Sequence, residues 1–235
     1  MKSLPNILTL LNLISGCISI VFILHERFEF ALIFHGVSLL CDFLDGMVAR
    51  ALKVDSPLGV QLDSLADVVS FGVAPAAIAY VLLGYASTID LRVTMISNLW
   101  SYLWVFVLTA SAAYRLAKFN LSTDQKDSFF GMPTPPMAMY FFGLLLILRY
   151  GDERLIGYLQ HPWVTIVSVL YFTWIMNCRL KHFKLKFTKS SLLNPYFMSL
   201  AGISLALLVF YPVLALSATI VAYTFLSIIS NFVKI

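Results

Sequence analysis

Long apolar blocks dominate the chain, at roughly 7–24, 28–49, 58–84, 98–119, 134–148, 163–177, 195–210 and 213–233. A helix needs about 20 mostly apolar residues to cross about 30 Å of hydrocarbon, so the blocks predict eight membrane-spanning helices joined by short loops. The fifth and sixth are short, and Pro212 separates the last two with almost no loop. The seventh and eighth therefore form either a tight hairpin or one kinked element, and seven spans is the alternative count. The expected fold is an all-α polytopic membrane protein, with residues 1–235 forming one membrane-embedded domain and no room for a soluble one.

Composition agrees with that pattern. The chain is 60% hydrophobic and 12% charged, whereas soluble domains average about 45–50% apolar and about 25% charged. The first block is too long for a signal-peptide core and lacks a small-x-small cleavage site before Glu26, so it reads as a retained helix. Cys17, Cys41 and Cys178 fall in apolar runs or at their ends, which gives neither a disulfide framework nor metal-ligand spacing. Basic residues accumulate at cytoplasmic helix ends. With the N-terminus inside, one side carries Lys2, Arg50, Lys53, Arg115, Lys118, Lys126, Arg179, Lys181, Lys184, Lys186, Lys189 and Lys234, and the other only Arg27, Arg92, Arg149 and Arg154. Both termini are then cytoplasmic, and the net charge of +4 is a topology signal that calls for no nucleic acid partner. The basic run from Arg179 to Lys189 tracks anionic lipid headgroups. Trp100, Trp104, Trp163 and Trp174 suit the interfacial belt, and His25, His35 and His161 suit packing or interface roles.

Four acids interrupt this picture: Asp42 and Asp45 at the end of the second block, Asp63 and Asp67 at the start of the third. An ionised Asp near hydrocarbon costs about 2.5–3.5 kcal/mol, so four of them require compensation. Residues three or four apart share a helix face, which pairs Asp42 with Asp45 and Asp63 with Asp67. Asp55-Ser56-Pro57 is a good helix start, so the third helix begins on the side where the second ends and the pairs meet. Such an all-oxygen set suits Mg²⁺, Mn²⁺ or Ca²⁺ and disfavours Zn²⁺ or copper. Two such cations sharing carboxylates would stabilise attacking and leaving oxygens in phosphoryl transfer. Gly46, Ala49 and Gly59 allow a diphosphate to approach closely, and Arg50 offers a planar fork to its oxygens. The alternative is a set of solvated helix-end acids pairing with Arg50 or Lys53.

Residues 42–67 read D-F-L-D-G-M-V-A-R-A-L-K-V-D-S-P-L-G-V-Q-L-D-S-L-A-D. This resembles, at every fixed position, the D-x2-D-G-x2-A-R-x8-G-x3-D-x3-D signature of the CDP-alcohol phosphatidyltransferases. Pro5-Asn6-Ile7-Leu8-Thr9, Ser70 to Pro75, Arg115 to Asn120 and Gly131 to Pro136 are similar to stretches of the branch of that family that makes phosphatidylserine. Lys118 departs from the arginine common there. Ile175 to Arg179 matches only loosely, so no site residue is assigned in the C-terminal third.

The resemblance implies a six-helix core around a cavity open to the cytoplasm, two added C-terminal helices, a homodimer, and a place in the cell (inner) membrane. It implies transfer of a phosphatidyl group from CDP-diacylglycerol to serine, with release of CMP. Asp42, Asp45, Asp63 and Asp67 would hold two divalent cations, and Gly46, Ala49, Arg50 and Gly59 the CDP-lipid. Asp67 would accept the hydroxyl proton, and Arg115, Lys118, Asn120 and Thr134 would line the serine and phosphate side. Glycerol 3-phosphate or inositol phosphate is the alternative acceptor. A cation channel or carrier is the alternative outside enzymes, and it would want acids at the midplane of several helices.

Overall fold

A computed structural model describes residues 3–54, 56–86, 102–121, 129–182 and 195–232. The expectations placed on Lys2, Asp55, Arg92, Trp100, Lys126, Lys184, Lys186, Lys189 and Lys234 lie outside the described residues.

Helix α1 (Leu4–Leu24) begins with Pro5 in its first turn, where a missing N–H costs nothing. Its buried face carries Pro5, Thr9, Asn12, Ser15, Gly16, Ser19 and Ile23, while Ile7, Leu10, Ile14, Val21 and Leu24 are exposed. A soluble helix does the reverse. Hydrocarbon gains nothing from hiding leucine, so small and polar residues collect where helices touch. Helix α2 (Phe28–Leu52) returns antiparallel along this stripe. Ser38 Oγ donates to Asn12 Oδ1 at 2.5 Å, and Ser19 Oγ to the Ala31 carbonyl at 2.8 Å.

Lys53 ends α2 in the left-handed region at φ 52°, and Val54 N–H donates back to the Ala49 carbonyl. This turn reverses the chain into α3 (Pro57–Ala86), a helix of 30 residues. Ser56 caps it by accepting from Gly59 N–H at 3.0 Å, with Pro57 in the first turn. The helix widens into a π-turn at Val69–Val73, just before Pro75, and Ala74 N–H reaches the Val69 carbonyl. Proline cannot sit in an unbroken α-helical ladder, so a local widening there is one way to accommodate it. Thr109 Oγ1 takes up the Gly72 carbonyl at 3.0 Å. Gly16 has no room for a Cβ because Ser70 Oγ occupies the place, which sets how closely α1 approaches α3.

A 3₁₀ turn at Leu103–Phe106 leads into α4 (Val107–Leu121). Strands β1 (Phe129–Phe130) and β2 (Lys181–His182) pair antiparallel, Phe129 with His182 and Phe130 with Lys181. Gly131 follows at φ 75°, donating to the Leu180 carbonyl. Helix α5 (Thr134–Tyr150) precedes α6 (Glu153–Leu159) and α7 (Pro162–Asn177), which meet at a 61° bend. Helices α8 (Pro195–Phe210) and α9 (Pro212–Phe232) pack against each other, and α9 also packs on α5. Phe71, Phe141, Phe142 and Phe172 fill the centre, with His35 stacked on Phe142 at 3.5 Å.

The described fold is helical apart from that two-residue ladder. Among the described residues four helices are long and apolar enough to cross a membrane: α1, α2, α3 and most of α9. The bent α6–α7 pair makes a fifth if it is one span. The difference from the expected eight arises because α5 and α8 have only 17 and 16 residues, and the first residues of the fourth block, 98–101, lie outside the described residues. Cys17 is exposed on α1, whereas Cys41 is buried.

Candidate active site

The α2–α3 turn sets the end of one helix beside the start of the next, and three of the four aspartates converge there. Carboxylate oxygens of Asp42, Asp63 and Asp67 all lie within 4.8 Å of one another. Asp67 is 8% exposed, and its Oδ1 has no hydrogen-bond partner. A buried acceptor left without a donor is costly, and a cation removes that cost. Three carboxylates offering hard oxygen donors, one of them with an unpartnered buried oxygen, fit a divalent cation such as Mg²⁺ or Mn²⁺.

Asp45 stands apart from the trio. It is buried and accepts a hydrogen bond from Thr9 Oγ1 at 2.6 Å, so its partner comes from α1. Asp45 and Asp63 then line a cavity of about 130 Å³ with Gly46, Ala49 and Gly59, closed on the α1 side by Pro5, Asn6 and Thr9. Gly46 leaves space beneath the Arg50 guanidinium, which would sit 3.2 Å from a Cβ there. Arg50 itself is exposed.

Beyond the trio, Arg115 projects from α4, 8% exposed, with Asp67 as a charged neighbour and its own Nε unpartnered. A second cavity, of about 350 Å³, is lined by Arg115, Lys118, Phe119, Met176, Asn177, Cys178 and Arg179. Its three cations and lack of acids suit an anionic ligand. Asn120 does not line it; Asn120 Nδ2 donates to Ser64 Oγ at 2.8 Å, which ties α4 to α3 next to Asp63. Thr134 is fully buried at the start of α5, and its Oγ1 lacks a partner.

Two contributions escaped the sequence reading. Thr9 is uncharged and lies 36 positions from Asp45, so nothing local marks it. Asn177 and Arg179 lie in the stretch to which no site residue was assigned, yet they form a wall of the larger cavity. Asn177 Nδ2 donates to Ser111 Oγ at 2.6 Å, and its Oδ1 remains buried without a partner. A polar residue closing an apolar helix beside a basic run was the available signal.

Known proteins resemble this chain. A family model described as CDP-alcohol phosphatidyltransferase matches residues 2–179. A CDP-diacylglycerol–serine O-phosphatidyltransferase of Helicobacter pylori is 34% identical over 183 residues, covering 77% of this chain and 72% of its own. Its counterpart in Mycobacterium tuberculosis is 33% identical over 186 residues, and the chain spans only 60% of that protein's length. The protein of that name in Bacillus subtilis is 29% identical over 186 residues, 93% of its own length.

Proposed function

Since the chain belongs to the CDP-alcohol phosphatidyltransferase family, we propose that it transfers the phosphatidyl group of CDP-diacylglycerol to the hydroxyl of serine, releasing CMP. The observation that carries the chemistry is the convergence of Asp42, Asp63 and Asp67 around an unpartnered buried oxygen. Serine as acceptor is supported by the names of the relatives.

Asp42, Asp63 and Asp67, joined by Asp45, would hold Mg²⁺ or Mn²⁺, two per site, supplying positive charge to the diphosphate and to departing CMP. Gly46, Ala49 and Gly59 keep the smaller cavity open for the nucleotide, and Arg50 contacts its phosphate. Asp67 accepts the serine hydroxyl proton as that oxygen attacks the lipid-side phosphorus. Arg115 holds the phosphate side, while Lys118 takes the serine carboxylate as a point charge, with Asn177 beside it. Thr134 is a buried polar neighbour, and Asn120 acts by fixing α3.

In this reading the whole chain is one membrane domain of eight spans, six around the cavity and two added at the C-terminus. Both termini and the site face the cytoplasm, in the cell membrane, and the protein works as a homodimer. The test gives purified protein CDP-diacylglycerol with Mg²⁺ or Mn²⁺ and a panel of alcohols, and measures CMP release. Release with serine is the expected result. Success of glycerol 3-phosphate or inositol phosphate where serine fails would overturn the acceptor.

A further inference from the structure

Asn177 ends α7 on the wall of the larger cavity, and its hydrogen bonds decide how the amide is turned. Nδ2 lies 2.6 Å from Ser111 Oγ, 3.4 Å from the Ser111 carbonyl and 3.3 Å from the Thr173 carbonyl. Carbonyl oxygens only accept, so the edge facing them must be the NH₂. Ser111 Oγ gives its own hydrogen to the Thr173 carbonyl at 3.0 Å, which leaves it to accept from Asn177. The amide is thereby pinned between α4 and α7, with Oδ1 on its uncommitted edge. That oxygen is buried and has no donor, a state that costs about 1–3 kcal/mol unless a ligand supplies one.

Serine brings three polar groups to the site. Its hydroxyl meets Asp67 and its carboxylate Lys118, but its ammonium has the same sign as Arg115, Lys118 and Arg179, and no acid lines the cavity. Among the side chains of the lining residues, Asn177 carries the one oxygen. The others end in three cations, a phenyl ring and two sulfurs, and the Cys178 thiol already donates to the Ile175 carbonyl. We propose that Asn177 specifies an amino acid as acceptor, its Oδ1 accepting a hydrogen bond from the serine ammonium. An amide oxygen can do this without neutralising the cations that hold the carboxylate, as an acid there would. Glycerol 3-phosphate and inositol phosphate have no ammonium to offer it. This rests on the reading that serine is the acceptor.

The test uses the full chain in detergent and compares CMP release with serine and with 3-hydroxypropionate, which keeps the hydroxyl and carboxylate and lacks the amine. Wild type should favour serine at least about tenfold in kcat/KM, as a hydrogen bond to a charged group requires. Asn177→Leu keeps the volume and removes the oxygen, so that preference should vanish, with kcat/KM for 3-hydroxypropionate and the KM for CDP-diacylglycerol within about threefold of wild type. Ser111→Ala removes one of the bonds that pin the amide and keeps Oδ1. It should lower the preference about three- to fivefold, and it decides the matter if Asn177→Leu does not fold. A wild type that uses both acceptors equally would overturn the proposal while leaving serine as a substrate. Variants that keep the wild-type preference, or lose both acceptors in proportion, would overturn it too, the latter marking packing only. If wild type releases no CMP with serine but does so with glycerol 3-phosphate, the acceptor reading fails and the proposal falls with it.

Discussion

Replacing Asp63 with Asn should stabilise the cation-free protein while removing its response to divalent cations. The oxygens of Asp42, Asp63 and Asp67 lie within 4.8 Å of one another. Two unit charges at that distance repel by about 3.5 kcal/mol at an effective dielectric constant of about 20. Asp63 belongs to two of the three pairs, so Asn removes on the order of 7 kcal/mol of gross repulsion with almost no change in volume. Water and counter-ions reach the half-buried Asp42 and Asp63, which cuts the net gain to about 2 kcal/mol. For a chain of this size that corresponds to about 4–8 °C. The assay is thermal unfolding in detergent, in EDTA and then in Mg²⁺ or Mn²⁺. Wild type should gain about 2.7 kcal/mol when the cation is at about 100 times its Kd. Asp63→Asn should start higher and gain little. A wild-type midpoint indifferent to both cations, or a variant that melts lower in EDTA, would refute the reasoning.

Other outcomes follow from the same geometry. Asp67→Asn should abolish turnover while CDP-lipid binding persists; full activity would remove Asp67 as the base. Thr9→Val loses the 2.6 Å bond to Asp45, worth about 1.5–3 kcal/mol when made to an ionised group. It should therefore need at least about tenfold more cation for half-maximal CMP release, while Thr9→Ser stays near wild type. Gly143→Ala forces a methyl group to within 2.7 Å of the Ser217 nitrogen, so the unfolding midpoint should fall by an amount matching about 1–3 kcal/mol. Gly36→Ala meets nothing within 4 Å and should melt like wild type in the same scan.

What could be read in advance depended on how local it was. Spacing of three and four residues placed Asp42 with Asp45 and Asp63 with Asp67, and Ser56-Pro57 marked where α3 begins. A helical period says which residues share a face, but not how that face is turned toward its neighbours. Asp42 therefore joined Asp63 and Asp67, while Asp45 met Thr9, 36 positions earlier. The contact of Asn177 with Ser111, 66 positions away, was hidden for the same reason. Hydropathy could not help, because lipid and protein interior are equally apolar and leucine has no preference between them. The inward faces are marked instead by small and polar residues at helical spacing. Thr9, Asn12, Ser15 and Ser19 trace one such line on α1, and Ser217, Tyr223, Thr224 and Ser227 trace another on α9. Read that way, the C-terminal helix carries a polar face that a passive lipid anchor would not need.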